Sequence, residues 1–518
     1  MAGIKKVMLI PVIDIFAGPG GLGEGFSTYF AGENRAFKIR LSIEKDAVAH
    51  QTLELRAFYR QFSTGAVPIE YYEYLRRENS IDKSSLFAKY PKEAEAAKRE
   101  AWMATLGEED RDAVKTRINE ALSGSANWVL IGGPPCQAYS LVGRSRMRGK
   151  NPWKYAKDHR HYLYKEYLQI LADHQPPVFV MENVKGLLSS SRTKTKKQNT
   201  FELIRTDLKN PIKAIYGNDS SLSYRLFSIS SGSPANPDDI KPEDFVIRSE
   251  EYGIPQARHR IIIIGIRSDI YDSSPMLLRK VEKQVPIEAV ISDLPKLRSG
   301  LSKERDTPDE WRKAIKEIET AKWMKSVSSE LKNSILGSLK RVGASLDRGN
   351  SFTPFIVGST KYDDWYIDGN LAGVCNHESR SHIREDLHRY FFSAVFAQKY
   401  KRPPKLSDFP SELLPKHKNA KNISSETIFN DRFRVQVKGR PSTTVVSHIS
   451  KDGHYYIHYD PAQCRSLTVR EAARLQTFPD NYFFEGNRTQ QYHQVGNAVP
   501  PLLANKIAEI VYKILQGI

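Results

Sequence analysis

Cys136 and Glu182 are the side chains whose types and settings most invite chemistry. Each follows an apolar run that reads as a buried strand. Residues 128–131 end abruptly in Gly132, Gly133, Pro134 and Pro135, because proline cannot continue a ladder and glycine permits a sharp exit. Cys136 then opens a polar loop. Residues 176–181 form the next apolar run and lead into Glu182, Asn183 and Val184. In an open α/β sheet ligands bind outside the carboxyl ends of the strands. A thiol there is a candidate nucleophile, and a carboxylate at a neighbouring exit can share its pocket. On its own, such a cysteine would more often be a small packed residue and such a glutamate a turn or cap.

A third chemical feature stands near the start. The β-branched run 7–16 passes into Gly18-x-Gly20-x-x-Gly23, where glycines let the backbone turn tightly and approach a cofactor. A second apolar run, 37–43, precedes Glu44, about 20 residues past the loop, where an acid can accept hydrogen bonds from both ribose hydroxyls of an adenosine. By itself this pattern fits NAD, FAD or S-adenosylmethionine.

A basic stretch follows Cys136. Residues 137–161 hold Arg144, Arg146, Arg148, Lys150, Lys154, Lys157 and Arg160, with Trp153 and Tyr155 between them. Attached to a nucleophile, such a loop suits closure over a polyanion. Further on, Gln256, Arg258 and Arg260 precede the β-branched run 261–266, and they share one side if the chain there is extended.

The elements that must position these groups alternate strand and helix up to about residue 270. Residues 50–125 read as a charged, helix-rich excursion at the rim of the sheet, whose Tyr71, Tyr72 and Tyr74 are expected to pack rather than to stack on nucleotides. From 271 to 440 the rhythm is lost among charged helical stretches, aromatic segments and Pro/Lys-rich linkers. Pattern returns with a helix capped by Thr468 and closed by Pro479. The last helix carries Leu503, Ile507, Ile510, Val511 and Ile514 on one stripe, which needs a sheet face to cover it. No internal repeat is found.

The 518 residues carry a formal net charge of +18, which points to an anionic partner, usually nucleic acid. The three cysteines, Cys136, Cys375 and Cys464, form no Cys-x-x-Cys, so neither a disulfide scaffold nor a structural zinc site is indicated, and unpaired thiols suit a reducing cytoplasm. The apolar run after Lys5 and Lys6 is too short for a signal peptide, and no apolar stretch approaches the ~20 residues of a membrane span.

Taken together the motifs resemble the DNA cytosine-5 methyltransferase family. The matching residues are Asp14-x-Phe16-x-Gly18-x-Gly20-Gly21, Glu44, Pro135-Cys136-Gln137, Glu182-Asn183-Val184, Gln256-x-Arg258-x-Arg260, the run from Arg465 to Gln476, and Gln494-x-Gly-Asn-Ala-Val-Pro500, in the family's order. They cover roughly the first 270 residues and the last 75. The resemblance implies an α/β fold: a Rossmann-like S-adenosylmethionine-dependent sheet with helices on both faces, plus a smaller irregular α+β target-recognition domain. The corresponding division is 1–270 catalytic and cofactor-binding, 271–440 target recognition, and 441–518 a return segment completing the catalytic domain. The family's acid that touches the adenine amino group has no counterpart in the stretch considered for it, residues 62–65.

The activity implied is methyl transfer from S-adenosylmethionine to carbon 5 of a cytosine in double-stranded DNA, without a metal. In that chemistry Cys136 attacks carbon 6, Glu182 protonates N3, Asn183 orients it or contacts the ring, Arg260 holds the base O2, and Arg258 and Gln256 organise the pocket. Phe16, Gly18, Gly20, Gly21, Glu44, Pro135, Asn497 and Val499 would hold the donor. Gln137, Ser140, Arg144, Arg146 and Arg148 would meet DNA around a flipped-out base. A monomer acting with a restriction endonuclease or other defence protein is the expected setting. The competing readings are an RNA cytosine-5 methyltransferase and a non-catalytic DNA-binding protein on a methyltransferase core. An NAD dehydrogenase would share the glycine loop but not the paired cysteine and Glu-Asn-Val exits.

Overall fold

The computed structural model describes residues 9–135, 163–189, 200–270, 274–343, 346–355, 358–415 and 431–517. The chain forms two compact units: one from residues within 1–67, 87–283 and 498–518, the other from 68–86 and 284–497.

The first unit is built on one sheet. Its strands are β1 (Ile10–Ile15), β2 (Phe37–Glu44), β3 (Ala101–Met103), β4 (Val129–Gly132), β5 (Val178–Val184), β6 (Tyr224–Phe227), β7 (Val246–Arg248) and β8 (His259–Arg267), in the order β3-β2-β1-β4-β5-β8-β6 with β7 also pairing β8. The pairs among β1 to β5 are parallel, and β8 runs antiparallel to β5, β6 and β7. Going outward from β1, one neighbour leads back to earlier-paired β2 and β3 and the other to β4 and β5. In open sheets of this kind ligands bind where the strand order reverses, outside the carboxyl ends of the strands, which here are those of β1 and β4.

Alternation along the strands fills two cores. Ile10 and Val12 of β1, Val129 and Ile131 of β4 and Ile262 and Ile264 of β8 face one side with Leu22 and Phe26 of α1 (Gly21–Ser27). Leu503, Ile507, Ile510, Val511 and Ile514 of the last helix, Pro501–Gln516, join that core, so the apolar stripe read from the sequence finds its sheet face. Ile13, Ile15, Leu130, Phe179 and Ile263 face the other side with helices Arg111–Leu122, Leu163–His174 and Thr200–Lys209. Helices therefore cover both faces. Helix Ala47–Arg60 is started by Asp46, whose carboxylate accepts from the amides of Val48 and Ala49, and Arg111–Leu122 by Asp110, which accepts from that of Ala113.

The stretch 50–125, expected to be a helix-rich excursion at the rim of the sheet, also supplies β3, a member of the sheet paired in parallel with Ser42–Glu44. Residues 62–65, the stretch that offers no acid for the adenine amino group, form a turn after Ala47–Arg60.

The second unit is helical with short paired strands. Gly349–Pro354 pairs antiparallel with Gly373–Glu378, and helices Pro308–Lys316, Ser329–Leu339 and Arg384–Tyr400 enclose Trp311, Ile315, Ile335, Leu387, Tyr390 and Phe391. Tyr71, Tyr72 and Tyr74 are buried within it, and the Tyr72 hydroxyl donates to Asp368 at 2.8 Å, so these rings pack. Residues 441–497, including the Thr468-capped helix Val469–Leu475, belong to this unit. Glu471 in that helix is fully buried and paired with Arg465, Nη2 to Oε1 at 2.6 Å. Among the described residues no helix is long and apolar enough to cross a membrane.

Candidate active site

The loop after β1 is shaped by backbone conformation. Phe16, Gly18 and Gly20 all have positive φ, at 55°, 58° and 92°. For glycine this costs little, but for Phe16 it is a strained geometry of the kind functional loops retain. The Gly18 amide donates to Glu44 Oε2 at 2.8 Å, and the Asp46 amide to Oε1 at 2.8 Å. A carboxylate offers about four lone-pair sites, so Glu44 keeps acceptors for further donors. Among the described residues a Cβ on Gly18 would meet nothing within 4 Å, which leaves the loop open toward them on that side. Gly21 is the opposite case: a Cβ there would lie 2.2 Å from the Val499 carbonyl oxygen. The missing side chain is what lets α1 and the Val499 backbone touch. These groups fit a nucleoside donor: an open glycine cradle and an acid with spare acceptors at the end of the neighbouring strand.

Asp14 lies beneath this loop, fully buried against Gly23. Burial drives its carboxyl up to about 8, with Arg60 and the Gly23 amide acting in the opposite direction.

One strand over, β4 ends at Gly132, and Gly133, Pro134 and Pro135 carry the chain off the sheet. Glu182 and Asn183 stand near the end of the adjacent β5. Because β8 is antiparallel to β5, its beginning lies at that same edge, with Arg260 opposite Val184 and Ile262 opposite Glu182. Arg260 Nε reaches Glu182 Oε1 at 3.0 Å, and both side chains are largely shielded, 14% and 13% exposed. Burial lowers the pKa of the Arg260 guanidinium, and the Glu182 carboxylate opposes that shift. Asn183 is buried, its side-chain amide donating to the Pro134 carbonyl at 3.4 Å and its oxygen accepting from the Val184 amide at 2.8 Å. Asn183 thus ties the exit of β4 to the exit of β5.

The expected extended alternation of Gln256, Arg258 and Arg260 is corrected. The Arg258 amide donates back to the Gln256 carbonyl at 2.9 Å, a three-residue turn at Ala257 that breaks the strand before His259. Ser249 fixes this turn: its hydroxyl donates to the Gln256 carbonyl at 2.7 Å and accepts from the Arg258 amide at 3.1 Å. Gln256 and Arg258 are both buried, and Arg260 is the member of the three that pairs with Glu182 among the described residues.

Cys136, Gln137, Ser140, Arg144, Arg146 and Arg148 lie outside the described residues, and Pro135 is the last described residue before them. The other two cysteines are buried in the second unit. Burial pushes the Cys375 thiol up to about 12 and raises that of Cys464 further, which suits neither to attack. Asn497 ends helix Arg488–Asn497 of the second unit and is exposed. Among the described residues no group of three or more His, Cys, Asp or Glu is placed to hold a metal ion. One contributor escaped sequence reading: Ser249, whose role needs a contact seven residues away.

A sequence model of the family described as C-5 cytosine-specific DNA methylase matches residues 105–215 and 243–513. The type II methyltransferase M.Bpa9945I of Bacillus paralicheniformis is 33% identical, the match covering 98% of this chain and 99% of that protein. The DNA (cytosine-5-)-methyltransferase M.ApeKI of Aeropyrum pernix is 27% identical over 77% of this chain and 83% of its own. Among solved structures, a DNA modification methyltransferase encoded within an E. coli prophage superposes with a TM-score of 0.50 at 18% identity, covering 98% of this chain and 99% of its own, a likeness of fold.

Proposed function

The chain belongs to the C-5 cytosine-specific DNA methylase family, and from that premise we propose how its own residues methylate carbon 5 of cytosine in DNA. The family implies S-adenosylmethionine as donor, which when bound supplies an electrophilic methyl group. Phe16, Gly18, Gly20, Gly21, Glu44, Pro135, Asn497 and Val499 would hold it, and Glu44 would accept from the ribose hydroxyls.

Cys136 is the nucleophile. Its thiolate adds to carbon 6 of the cytosine, and the electron pair of the 5,6 double bond moves into the ring, leaving carbon 5 enamine-like. Glu182 delivers a proton to N3 as that charge builds. Arg260 holds the Glu182 carboxylate and reaches the base O2, Asn183 fixes the distance between the two strand exits, and Gln256 and Arg258 brace the turn that delivers Arg260. Carbon 5 uses its electron pair to take the methyl group; water then removes the proton from carbon 5, the 5,6 double bond re-forms as the cysteine sulfur leaves as thiolate, and N3 returns its proton to Glu182. The target base is flipped from the duplex, and Gln137, Ser140, Arg144, Arg146 and Arg148 contact the DNA around it. The second unit reads the flanking bases, and the net positive charge of the chain supplies salt-sensitive affinity. We place the enzyme in the cytoplasm as a monomer acting beside a cognate restriction endonuclease, in keeping with the type II designation of its relatives.

The observation that best supports this reading is the shielded Glu182–Arg260 pair at the strand edge next to the Gly132–Pro135 exit. Duplex DNA carrying 5-fluorocytosine tests it, because fluorine cannot leave as a cation. The wild-type protein with donor is expected to form a covalent adduct stable to denaturing electrophoresis, and Cys136→Ser to form none while binding donor normally. An adduct of equal yield with the serine variant would refute the assignment.

A further inference from the structure

We infer that Gly133 is a positioning residue for the reaction: the absence of a side chain there reserves the space in which the Glu182 carboxylate sits. The inference rests on the proposed role of Glu182 and deepens it.

The two glycines that end β4 do different work. A Cβ on Gly132 would lie 2.5 Å from the Ile15 carbonyl oxygen and 2.8 Å from Ile15 Cγ1. Those atoms belong to the neighbouring strand, so Gly132 is required by the close approach of β1 and β4. Gly133 lies one residue beyond the ladder. Its φ is not positive, so the backbone conformation itself would accept alanine. The three atoms nearest to a Cβ there all belong to Glu182: Oε2 at 2.9 Å, the carbonyl oxygen at 3.3 Å and Cβ at 3.7 Å.

The other oxygen of that carboxylate, Oε1, is the one held by Arg260 at 3.0 Å. The carboxylate is therefore bounded on one side by a guanidinium and on the other by the bare backbone of Gly133. A methyl group at 133 enters the space of Oε2. The closest atom, Oε2, is the end of a flexible side chain, so the carboxylate turns or withdraws, while the Glu182 carbonyl oxygen at 3.3 Å need give by only a few tenths of an ångström. Misplacing a catalytic group by about 1 Å can cost on the order of a hundredfold in rate. The bland reading, that Gly133 merely eases the chain off the sheet, predicts no specific relation to Glu182.

The full-length protein tests this with unmethylated genomic DNA and tritiated S-adenosylmethionine. Gly133→Ala is expected to lower kcat by about tenfold to a hundredfold, with KM for donor and DNA within about twofold of wild type and an unchanged melting temperature. In a Glu182→Asp background, whose shorter side chain vacates the contested space, the same substitution is expected to cost a markedly smaller factor. A Gly133→Ala kcat within twofold of wild type would overturn the inference. So would a loss matched by a rise in both KM values, or by the drop in melting temperature expected of Gly132→Ala. Glu182→Gln is the separate check on the premise. If it retains full kcat, the proposed role of Glu182 falls and the inference with it. If it is inactive while Gly133→Ala is unimpaired, the inference alone fails.

Discussion

The amide of Gly18 donates to the carboxylate of Glu44 across 26 residues of sequence, at 2.8 Å. One end of this bond is a loop glycine in the left-handed region, and the other is the last residue of β2. The bond fixes the loop against the acid proposed to read the donor's ribose. Replacing Glu44 by alanine is expected to weaken binding of an unreactive S-adenosylmethionine analogue by about tenfold or more, since hydrogen bonds to charged groups contribute roughly 1.5–3 kcal/mol. Glu44→Gln, which keeps one acceptor oxygen for Gly18, should lose less. Isothermal titration distinguishes the two, and equal affinities for all three proteins would remove Glu44 from the donor site.

Asp14 gives the first unit an alkaline weakness. Its ordinary pKa of 3.8 is raised to about 8 by burial. Between those values the folded protein keeps a proton that the unfolded chain has released. Stability from this group is therefore complete below about pH 4 and declines as pH rises toward 8. Asp14→Asn removes the titration. Its melting temperature relative to wild type is expected to climb steadily from pH 5 to pH 8, and a constant difference across that range would contradict the assignment.

The second unit is expected to fail in acid. Burial lowers His377 and His458 to about 4 and His382 to about 3. His377 is held neutral between the Thr468 hydroxyl and the Pro295 carbonyl, each at 2.9 Å. From the ordinary value of 6.5 down to about 4 the unfolded chain binds protons that the folded unit refuses, so stability falls as pH falls through that window. Glu471 extends the loss to lower pH: burial pushes its pKa up, but Arg465 overrides that and holds it well below the usual carboxylate range. Hydrogen exchange, corrected for intrinsic rates, should show protection in residues 465–476 dropping by about tenfold or more between pH 6.5 and pH 5. His377→Gln should flatten part of that slope.

How much of this could be read from the chain alone depended on what each element needs. Residues 261–266 are so densely β-branched that a strand was legible there, and they form the centre of β8. The strand exits at Gly132–Pro135 and Glu182 were legible because glycine, proline and charged residues punctuate apolar runs. Ala101–Met103 was not. Alanine and methionine favour helix, the neighbouring residues are charged, and only parallel pairing with β2, more than fifty residues earlier, makes them a strand. The turn at Ala257 was invisible for a similar reason, since Ser249 supplies its stabilising bonds from outside the motif. The run from Arg465 to Gln476 stood out as a pattern, yet nothing local announces that Arg465, Arg470 and Arg474 are all fully buried, balanced by Glu471, Asp480 and backbone carbonyls.

The helix Pro501–Gln516 follows the whole second unit in the chain yet lines the core of the first. On the ribosome, the sheet face that receives Leu503, Ile507, Ile510 and Ile514 must wait while residues 284–497 are made. At about 5–20 residues per second that delay is roughly 10–40 s. Each of those side chains contributes roughly 1.5–3 kcal/mol on burial, so a nascent chain lacking them has a greasy, unfinished half. A chain cut before this helix is expected to leave that sheet face bare to solvent, an aggregation hazard.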